Sequence, residues 1–423
     1  MLLKNKKILV AVTGSIAIYK ALDLIRLYIK AGAQVRVIMT SGAKKFINPI
    51  TFEAISQSKV LDDESESWDK NQEYNHIDIG KWSDIFVIAP CSANTINKLS
   101  NGLAENILTQ VALAYPRMKL LAPAANTNML RNPLTKASIK MLKLCNFEII
   151  ESQTKELVCK DVGDGAMADP EDIFYATARE LLKEQYWVNR NVVLSGGGTI
   201  EKIDDVRYLS NNSSGKMANS LALALYLKGA EVCLVSTRGH ESLPKQIHTI
   251  EVESSSEMYE YLVDSIRVAK KGVLTKTTLM DDSNPELIQK KPYLFMVAAI
   301  SDYIPKFPQV GKMKKELVGE NWNLELKQNM DILSSLDKSQ MITVGFKAEL
   351  DEVTALNSAS AMLESKNLDA VCLNIINDKN EFGSNKNEIE LLFKDNSYLF
   401  KGEKLEISKE ILNKIKKEFY EHG

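Results

Sequence analysis

Cysteine is scarce and scattered in this chain: Cys91, Cys145, Cys159, Cys233 and Cys372 make five, with no CxxC pair among them. An odd, dispersed set excludes a disulfide framework and a thiolate zinc site, and fits reduced thiols in a cytosol. An excess of one charge is missing too. Lys plus Arg number 53 against 55 Asp plus Glu, a formal net charge of −2. Neither half carries a long basic run, which excludes a global electrostatic grip on nucleic acid or an anionic membrane. No apolar stretch approaches the roughly 18 residues of a membrane span. Met1-Leu2-Leu3-Lys4 leads into a strand-like run, without the apolar core or small-residue cleavage site of a signal peptide. A soluble cytoplasmic enzyme is the expectation. GxGxxG is absent from both halves, so an NAD-linked dehydrogenase is the weaker enzyme reading.

What the chain does have is material for a core. Its 423 residues are 45% hydrophobic and 26% charged, an ordinary globular balance and enough for two or three domains. Short β-branched runs alternate with helical patterns almost from end to end, the mark of parallel α/β architecture. In the first half, strands are predicted at 7–13, 34–39, 84–89, 119–122 and 147–150. Their apolar runs are nearly continuous, as in strands covered on both faces. A helix over 17–30 presents Leu22, Ile25, Leu27 and Ile29 on one broad apolar side, and another over 173–185 closes the half. The pattern then restarts with strands at 191–194, 231–236, 293–297, 341–346 and 369–373, and a final antiparallel pair at 388–393 and 398–401. Two doubly wound α/β, Rossmann-like domains are predicted, 1–190 and 191–423.

Candidate ligand groups fall at strand ends, where open α/β sheets bind. At Val12-Thr13-Gly14-Ser15, glycine permits the turn, and Ser15 either caps a helix or offers its hydroxyl and nearby N–H groups to a phosphate. Ser92, Asn94 and Thr95 put three polar side chains in four residues, more than one helix cap uses. Asn126 belongs to a second such cluster. His76, one of only four His, begins a helix and reads either as structural or as catalytic. Cys159 sits in a Gly-rich segment, a poor place to bury a thiol. In the second half, Ser195-Gly196-Gly197-Gly198-Thr199 and Asn211-Asn212-Ser213-Ser214-Gly215-Lys216 suit phosphate at a helix start, without P-loop spacing. Lys312, Lys314 and Lys315 are either a solvated loop or a charge-neutralising cluster behind the strand-end Asp302.

Together, Gly14-Ser15-Ile16-Ala17, His76-Ile77-Asp78, Pro90-x-Ser92-Ala93-Asn94-Thr95 and Pro123-x-x-Asn126-x-x-Met129 resemble the flavin-dependent cysteine decarboxylases, the phosphopantothenoylcysteine decarboxylases above all. That resemblance implies a flavodoxin-like flavoprotein domain over 1–190, with FMN held by Gly14, Ser15, Thr40, Ser92, Asn94 and Thr95. It makes His76 the base for the substrate thiol and Asn126 the holder of its carboxylate. Cys159, on a substrate-covering flap, becomes the proton donor. Lys160, Ala166, Ala125 and Leu130 depart from the residues common there. Loss of CO₂ next to a carbon bearing CH₂SH lacks an electron sink. Transient oxidation to a thioaldehyde creates one, and a flavin makes the cycle redox-neutral. Relatives that bind FMN as regulatory subunits without turnover are the alternative reading, and the presence of His76 and Cys159 speaks against it.

The second half resembles the phosphopantothenate–cysteine ligases. The matching segments are Gly197-Gly198-Thr199-x-Glu201, Arg207-x-x-x-Asn211-x-Ser213-Ser214-Gly215-Lys216-Met217, Ala298-Ala299-x-x-Asp302-Tyr303, Lys312-x-Lys314-Lys315, Gly345-Phe346-Lys347-Ala348-Glu349 and Lys366-Asn367-x-Asp369. The resemblance implies a nucleotide pocket of Ala298, Asp302, Lys312, Asp331, Ile332, Leu333, Phe346 and Lys366, with Asn211 holding the acyl-nucleotide. Met362 stands where a lysine is expected. CTP and Mg²⁺ would serve, with no metal ligand assigned, and 4'-phosphopantothenate and cysteine as substrates. Bacteria commonly fuse the two activities in this order. Ligase-half dimers and decarboxylase-half trimers imply a larger homo-oligomer, such as a dodecamer.

Overall fold

The computed structural model describes residues 1–69, 75–156, 162–238, 243–280, 284–314, 321–376 and 383–420. They form two compact units, Met1–Leu182 with Lys276–Pro285, and Lys183–Thr275 with Glu286–Gly423.

The first unit is built on five parallel strands: β1 (Lys7–Val12), β2 (Gln34–Met39), β3 (Ile85–Cys91), β4 (Lys119–Pro123) and β5 (Phe147–Ile149). Their order is β2-β1-β3-β4-β5. The chain steps outward from β1 to β2 and then returns to the other side of β1, so a crevice opens at the carboxyl ends of β1 and β3. Every residue of β3 and β4 is buried, which accounts for their apolar runs. Lys119, at the start of β4, is the charged exception and donates to Tyr115 O at 2.9 Å.

The first long helix runs over Tyr19–Lys30, but its buried stripe is Ala21, Leu24, Ile25 and Tyr28. Ile29, expected inside, is 37% exposed. Tyr28 sets this rotation: its hydroxyl meets Thr177 Oγ1 at 2.7 Å and its ring packs on Phe174, both in the helix Pro170–Leu182. A hairpin of β6 (Gln153–Glu156) and β7 (Val162–Ala166) has no counterpart in the predicted strands. Cys159 and Lys160 lie outside the described residues.

The second unit carries β8 (Asn191–Gly196), β9 (Ile200–Lys202), β10 (Tyr208–Ser210), β11 (Glu231–Ser236), β12 (His248–Glu251), β13 (Val273–Leu274), β14 (Leu287–Ile288) and β15 (Tyr293–Met296). Then come β16 (Tyr303–Pro305), β17 (Leu326–Gln328), β18 (Ile342–Glu349), β19 (Ala370–Ile375), β20 (Lys386–Leu392) and β21 (Ser397–Glu403). Eight of them form one sheet, β12-β11-β8-β15-β18-β19-β20-β21. Pairing is parallel from β12 to β19 and antiparallel through β20 and β21. Its switch point lies between β8 and β15, flanking the Ser195–Thr199 turn. The two doubly wound α/β halves expected from the strand pattern are therefore present.

Candidate active sites

In the first unit, Thr13 joins the two strand ends at the crevice. Its Oγ1 donates to Pro90 O at 2.8 Å and accepts the Ser92 N–H at 2.9 Å. The loops after β1 and β2 also touch, for a Cβ on Gly14 would stand 3.2 Å from the Gly42 carbonyl. Ser15 accepts the Ala17 N–H at 3.3 Å, Thr40 the Ala43 N–H at 3.3 Å, and Ser92 the Thr95 N–H at 3.3 Å. The Ser92 and Thr95 hydroxyls lie 3.1 Å apart, with Asn94 exposed between them.

A capping hydroxyl uses an oxygen lone pair, which leaves its own hydrogen for another acceptor. Thr40 turns its hydrogen to Val12 O at 3.5 Å, and one of the Ser92 and Thr95 hydroxyls donates to the other. At these neighbouring strand ends Ser15 and one hydroxyl of the Ser92–Thr95 pair thus remain as donors suited to an anionic cofactor such as a flavin phosphate. Cys91 is unsuited to proton transfer, since it is fully buried and burial pushes its thiol far up.

Asn126, after β4, is exposed and accepts the Asn128 N–H at 2.9 Å. The neighbouring corner receives β7. Ala125 N–H donates to Gly165 O at 3.2 Å, and Cβ atoms on Gly163 and Gly165 would stand 1.9 Å from Thr127 Oγ1 and 2.1 Å from Ala125 O. Glycine at 163 and 165 therefore reflects close packing of an ordered strand, where the sequence suggested only a loose loop. Lys20 adds a tie, reaching Met167 O and Asp169, both at 3.3 Å.

Gly165→Ala should unseat the hairpin, because the Ala125 backbone cannot step aside and overpacking costs typically about 1–3 kcal/mol. Limited proteolysis is expected to cut the variant between β6 and β7 faster than the parent. Equal cutting rates would mean that β7 is not seated there.

His76 comes from a different element, the first residue of the helix His76–Trp82, capped by Asn75. Among the described residues, none of the strand-end groups is its hydrogen-bond partner. Instead Nδ1 lies 2.8 Å from Glu66 Oε1, the same oxygen accepts the His76 backbone N–H at 3.2 Å, and Trp68 meets the ring edge-on at 5.4 Å. Sequence reasoning missed Glu66; its one signal was an acidic tract at 62–66 shortly before the histidine.

In the second unit, a cavity of about 470 Å³ opens at the carboxyl ends of β15 and β18. Seven of the eight expected nucleotide residues line it: Ala298, Asp302, Asp331, Ile332, Leu333, Phe346 and Lys366. Met362 lines it as well. Asp331 pairs with Lys366 at 3.0 Å and caps the helix Ile332–Ser335. Burial works to raise its carboxyl, but the Ser334 N–H and Lys366 outweigh it and hold the group below the usual range. Ser195, not expected as a site residue, fixes the wall: its Oγ accepts the N–H groups of Val297 and Ala298, each at 3.1 Å.

A second cavity, about 170 Å³, shares Ala298 and Phe346 with the first and is bounded by Gly197, Ser213–Ala218, Lys347 and Lys404. Gly197 adopts φ +78°, and a Cβ there would stand 2.1 Å from Thr237 Oγ1. The helix Lys216–Leu227 starts from Gly215 with no side-chain cap, so its first N–H groups and partial positive charge are open to an anion. Lys404 donates to Ser384 O at 2.6 Å, and burial together with the Lys216 charge lowers its pKa.

Asn211 and Lys312 do not line the larger cavity. Asn211 Nδ2 donates to Ile300 O in its wall at 3.0 Å. Lys312 is exposed, on a segment whose backbone is pinned. Gly311 N–H donates to Asp205 at 2.8 Å, Met313 N–H donates to Asp204 at 3.2 Å, and Arg207 donates to Met313 O at 2.7 Å. Asp204 and Asp205 were also missed by sequence reasoning. Among the described residues, no group of three His, Cys, Asp or Glu side chains could hold a metal ion, and no helix is long and apolar enough to cross a membrane.

Comparison with known proteins matches both halves. A family described as Flavoprotein matches residues 2–182, and one described as DNA/pantothenate metabolism flavoprotein C-terminal domain matches 187–276 and 271–419. The chain is similar to the coenzyme A biosynthesis bifunctional protein CoaBC of Haemophilus influenzae, 33% identical with 98% of each chain covered. It is similar to the protein of the same name from Bacillus subtilis, 34% identical with 98% of this chain and 97% of that one covered. A solved PPC decarboxylase mutant complexed with pantothenoylaminoethenethiol is 33% identical across 41% of this chain and 97% of its own, with a TM-score of 0.38.

Proposed function

The chain belongs to the family of coenzyme A biosynthesis bifunctional proteins, which makes it a bifunctional enzyme, and we propose the following division of its labour. Residues 191–423 couple cysteine to 4'-phosphopantothenate at the expense of CTP. Residues 1–190 decarboxylate the product, phosphopantothenoylcysteine, to 4'-phosphopantetheine with FMN. The protein works in the cytoplasm as a homo-oligomer.

The observation that carries the ligase reading is the convergence of Ala298, Asp302, Asp331–Leu333, Phe346 and Lys366, from four separate stretches of chain, on one cavity. The neighbouring cavity, with its uncapped helix start and three lysines, suits the phosphates. The substrate carboxylate attacks the α-phosphate, pyrophosphate leaves, and the cysteine amine displaces the nucleotide from the acyl-cytidylate. Lys312 offsets charge in the first step and Asn211 holds the intermediate in the second. Mg²⁺ is proposed to arrive with the nucleotide, since no described side-chain cluster would hold it alone.

In the decarboxylase, FMN would supply a two-electron acceptor that takes a hydride from the substrate and gives it back. Ser15, Thr40, Ser92 and Thr95, with Gly14 and Asn94, would hold it at the strand ends, where Ser15 and one hydroxyl of the Ser92–Thr95 pair keep a hydrogen to donate. His76 takes the thiol proton, Asn126 holds the carboxylate, and Cys159 protonates the carbon left after CO₂ departs.

The test uses the full chain. Purified protein should show a visible flavin band and release pyrophosphate and CO₂ from 4'-phosphopantothenate, cysteine and CTP together. With CTP omitted, it should release CO₂ only from added phosphopantothenoylcysteine. A colourless protein, or CO₂ from phosphopantothenate and cysteine without nucleotide, would refute this division.

A further inference from the structure

We propose that Glu66 is the positioning residue for His76, holding the imidazole in the tautomer whose Nε2 is free to take a proton. The proposal rests on the reading of His76 as the base that accepts the thiol proton. A carboxylate can only accept hydrogen bonds, so the Nδ1 that stands 2.8 Å from Glu66 Oε1 carries the hydrogen. In a neutral ring that leaves the lone pair on Nε2. The same oxygen accepts the His76 backbone N–H at 3.2 Å, so one atom anchors both the main chain and the ring. Side-chain exposures of 22% for His76 and 21% for Glu66 withdraw the pair from most of the water that weakens surface pairs. Trp68, edge-on at 82°, restricts the ring further.

Four other acids among the described residues around it, Asp62, Asp63, Glu64 and Asp78, have different partners. Asp62 pairs with Lys44 at 2.6 Å and Glu64 with the same lysine at 3.2 Å. Asp63 accepts the Ile107 N–H at 2.7 Å, and Asp78 accepts from Asn75 Nδ2 at 2.6 Å. Among the described residues, Glu66 is thus the carboxylate hydrogen-bonded to the ring. As the thiol proton passes from sulfur to Nε2, the ring becomes a cation flanked by the Glu66 charge, the division of labour of a nucleophile–base–orienter triad.

Four variants of the full-length protein test this, each checked for its flavin band. Glu66→Ala should lower kcat for decarboxylation roughly 10–100-fold with KM unchanged, less than outright loss of the base. In ¹⁵N spectra of histidine-labelled protein, the His76 signals should move to the Nε2–H tautomer. Glu66→Gln keeps an acceptor oxygen and loses only the charge, so it should retain the Nδ1–H tautomer and recover part of the rate. Adding Glu66→Ala to His76→Asn should cost nothing more. The proposal is overturned if Glu66→Ala leaves the tautomer unchanged, or if it slows the His76→Asn protein by the same factor as the parent. Failure of the base itself looks different: His76→Asn would stay active while the His76 tautomer still followed residue 66.

Discussion

Exchange of His76 for Asn is expected to slow decarboxylation about 10²–10⁴-fold, the usual range for a positioned base, while the flavin band of the protein survives. The separation follows from where the residues stand. His76 belongs to the helix His76–Trp82 and contacts Glu66 and Trp68, whereas the hydroxyls suited to FMN cap the ends of β1, β2 and β3. Asn can still start the helix, because the cap is provided by Asn75, which accepts the Ile77 and Asp78 N–H groups at 3.0 and 2.9 Å. What the variant lacks is a ring nitrogen whose lone pair can accept the thiol proton. Steady-state CO₂ release beside an absorption spectrum decides the matter. Parent-like turnover would remove His76 from the reaction, and loss of the band would give it a part in holding the flavin.

The ligase half should show a second large effect, in a form that separates its two steps. Lys312→Gln keeps an unbranched polar side chain, one bond shorter, and removes its charge, and loss of one charge-stabilising donor typically costs about 10²–10³ in rate. Pyrophosphate release from CTP and 4'-phosphopantothenate should fall accordingly, even without cysteine. The pinned backbone of this segment, held by Asp204, Asp205 and Arg207, presents the lysine from a fixed base, unlike one of several solvated lysines on a free loop. Asn211→Asp should release pyrophosphate but couple cysteine slowly, so that the acyl-cytidylate accumulates. Rapid-quench analysis with labelled CTP reads both. If each variant matches the parent, the activated intermediate forms elsewhere.

The sheets were legible because strands covered on both faces must be apolar through their interior, as in Ile8–Val12 of β1, Ile85–Cys91 of β3, Leu120–Pro123 of β4, Val192–Leu194 of β8 and Tyr293–Met296 of β15. Corner residues were legible because a doubly wound sheet binds ligands at its carboxyl edge, which makes clusters such as Ser92–Thr95 conspicuous. Three features escaped, each for a physical reason. The stripe of the first helix turns on one long-range contact, Tyr28 to Thr177, that local periodicity does not encode. The β6–β7 hairpin has polar and glycine residues where strand patterns look for β-branched ones, and its glycines are fixed by the backbone they touch. Glu66 meets His76 across ten residues of polar chain, with no repeat to betray the contact. The nucleotide residues are dispersed from 298 to 366, and only their resemblance to a family grouped them before the fold did.

The strand order of the second unit also sets a timetable for synthesis. β8 is the first strand of its sheet to leave the ribosome, yet it ends in the interior, between β11 and β15. β11 follows closely, but β15 begins nearly a hundred residues after β8 ends, a wait of roughly 5–20 s at ordinary elongation rates. During that interval one edge of β8, with the apolar run Val192-Val193-Leu194, has no native neighbour, the condition under which nascent strands pair with other chains. The antiparallel end, β20 and β21, emerges last and needs only its own hairpin to close. The exposed moment of this protein falls in the middle of its translation, and chaperone demand in the cell should peak there.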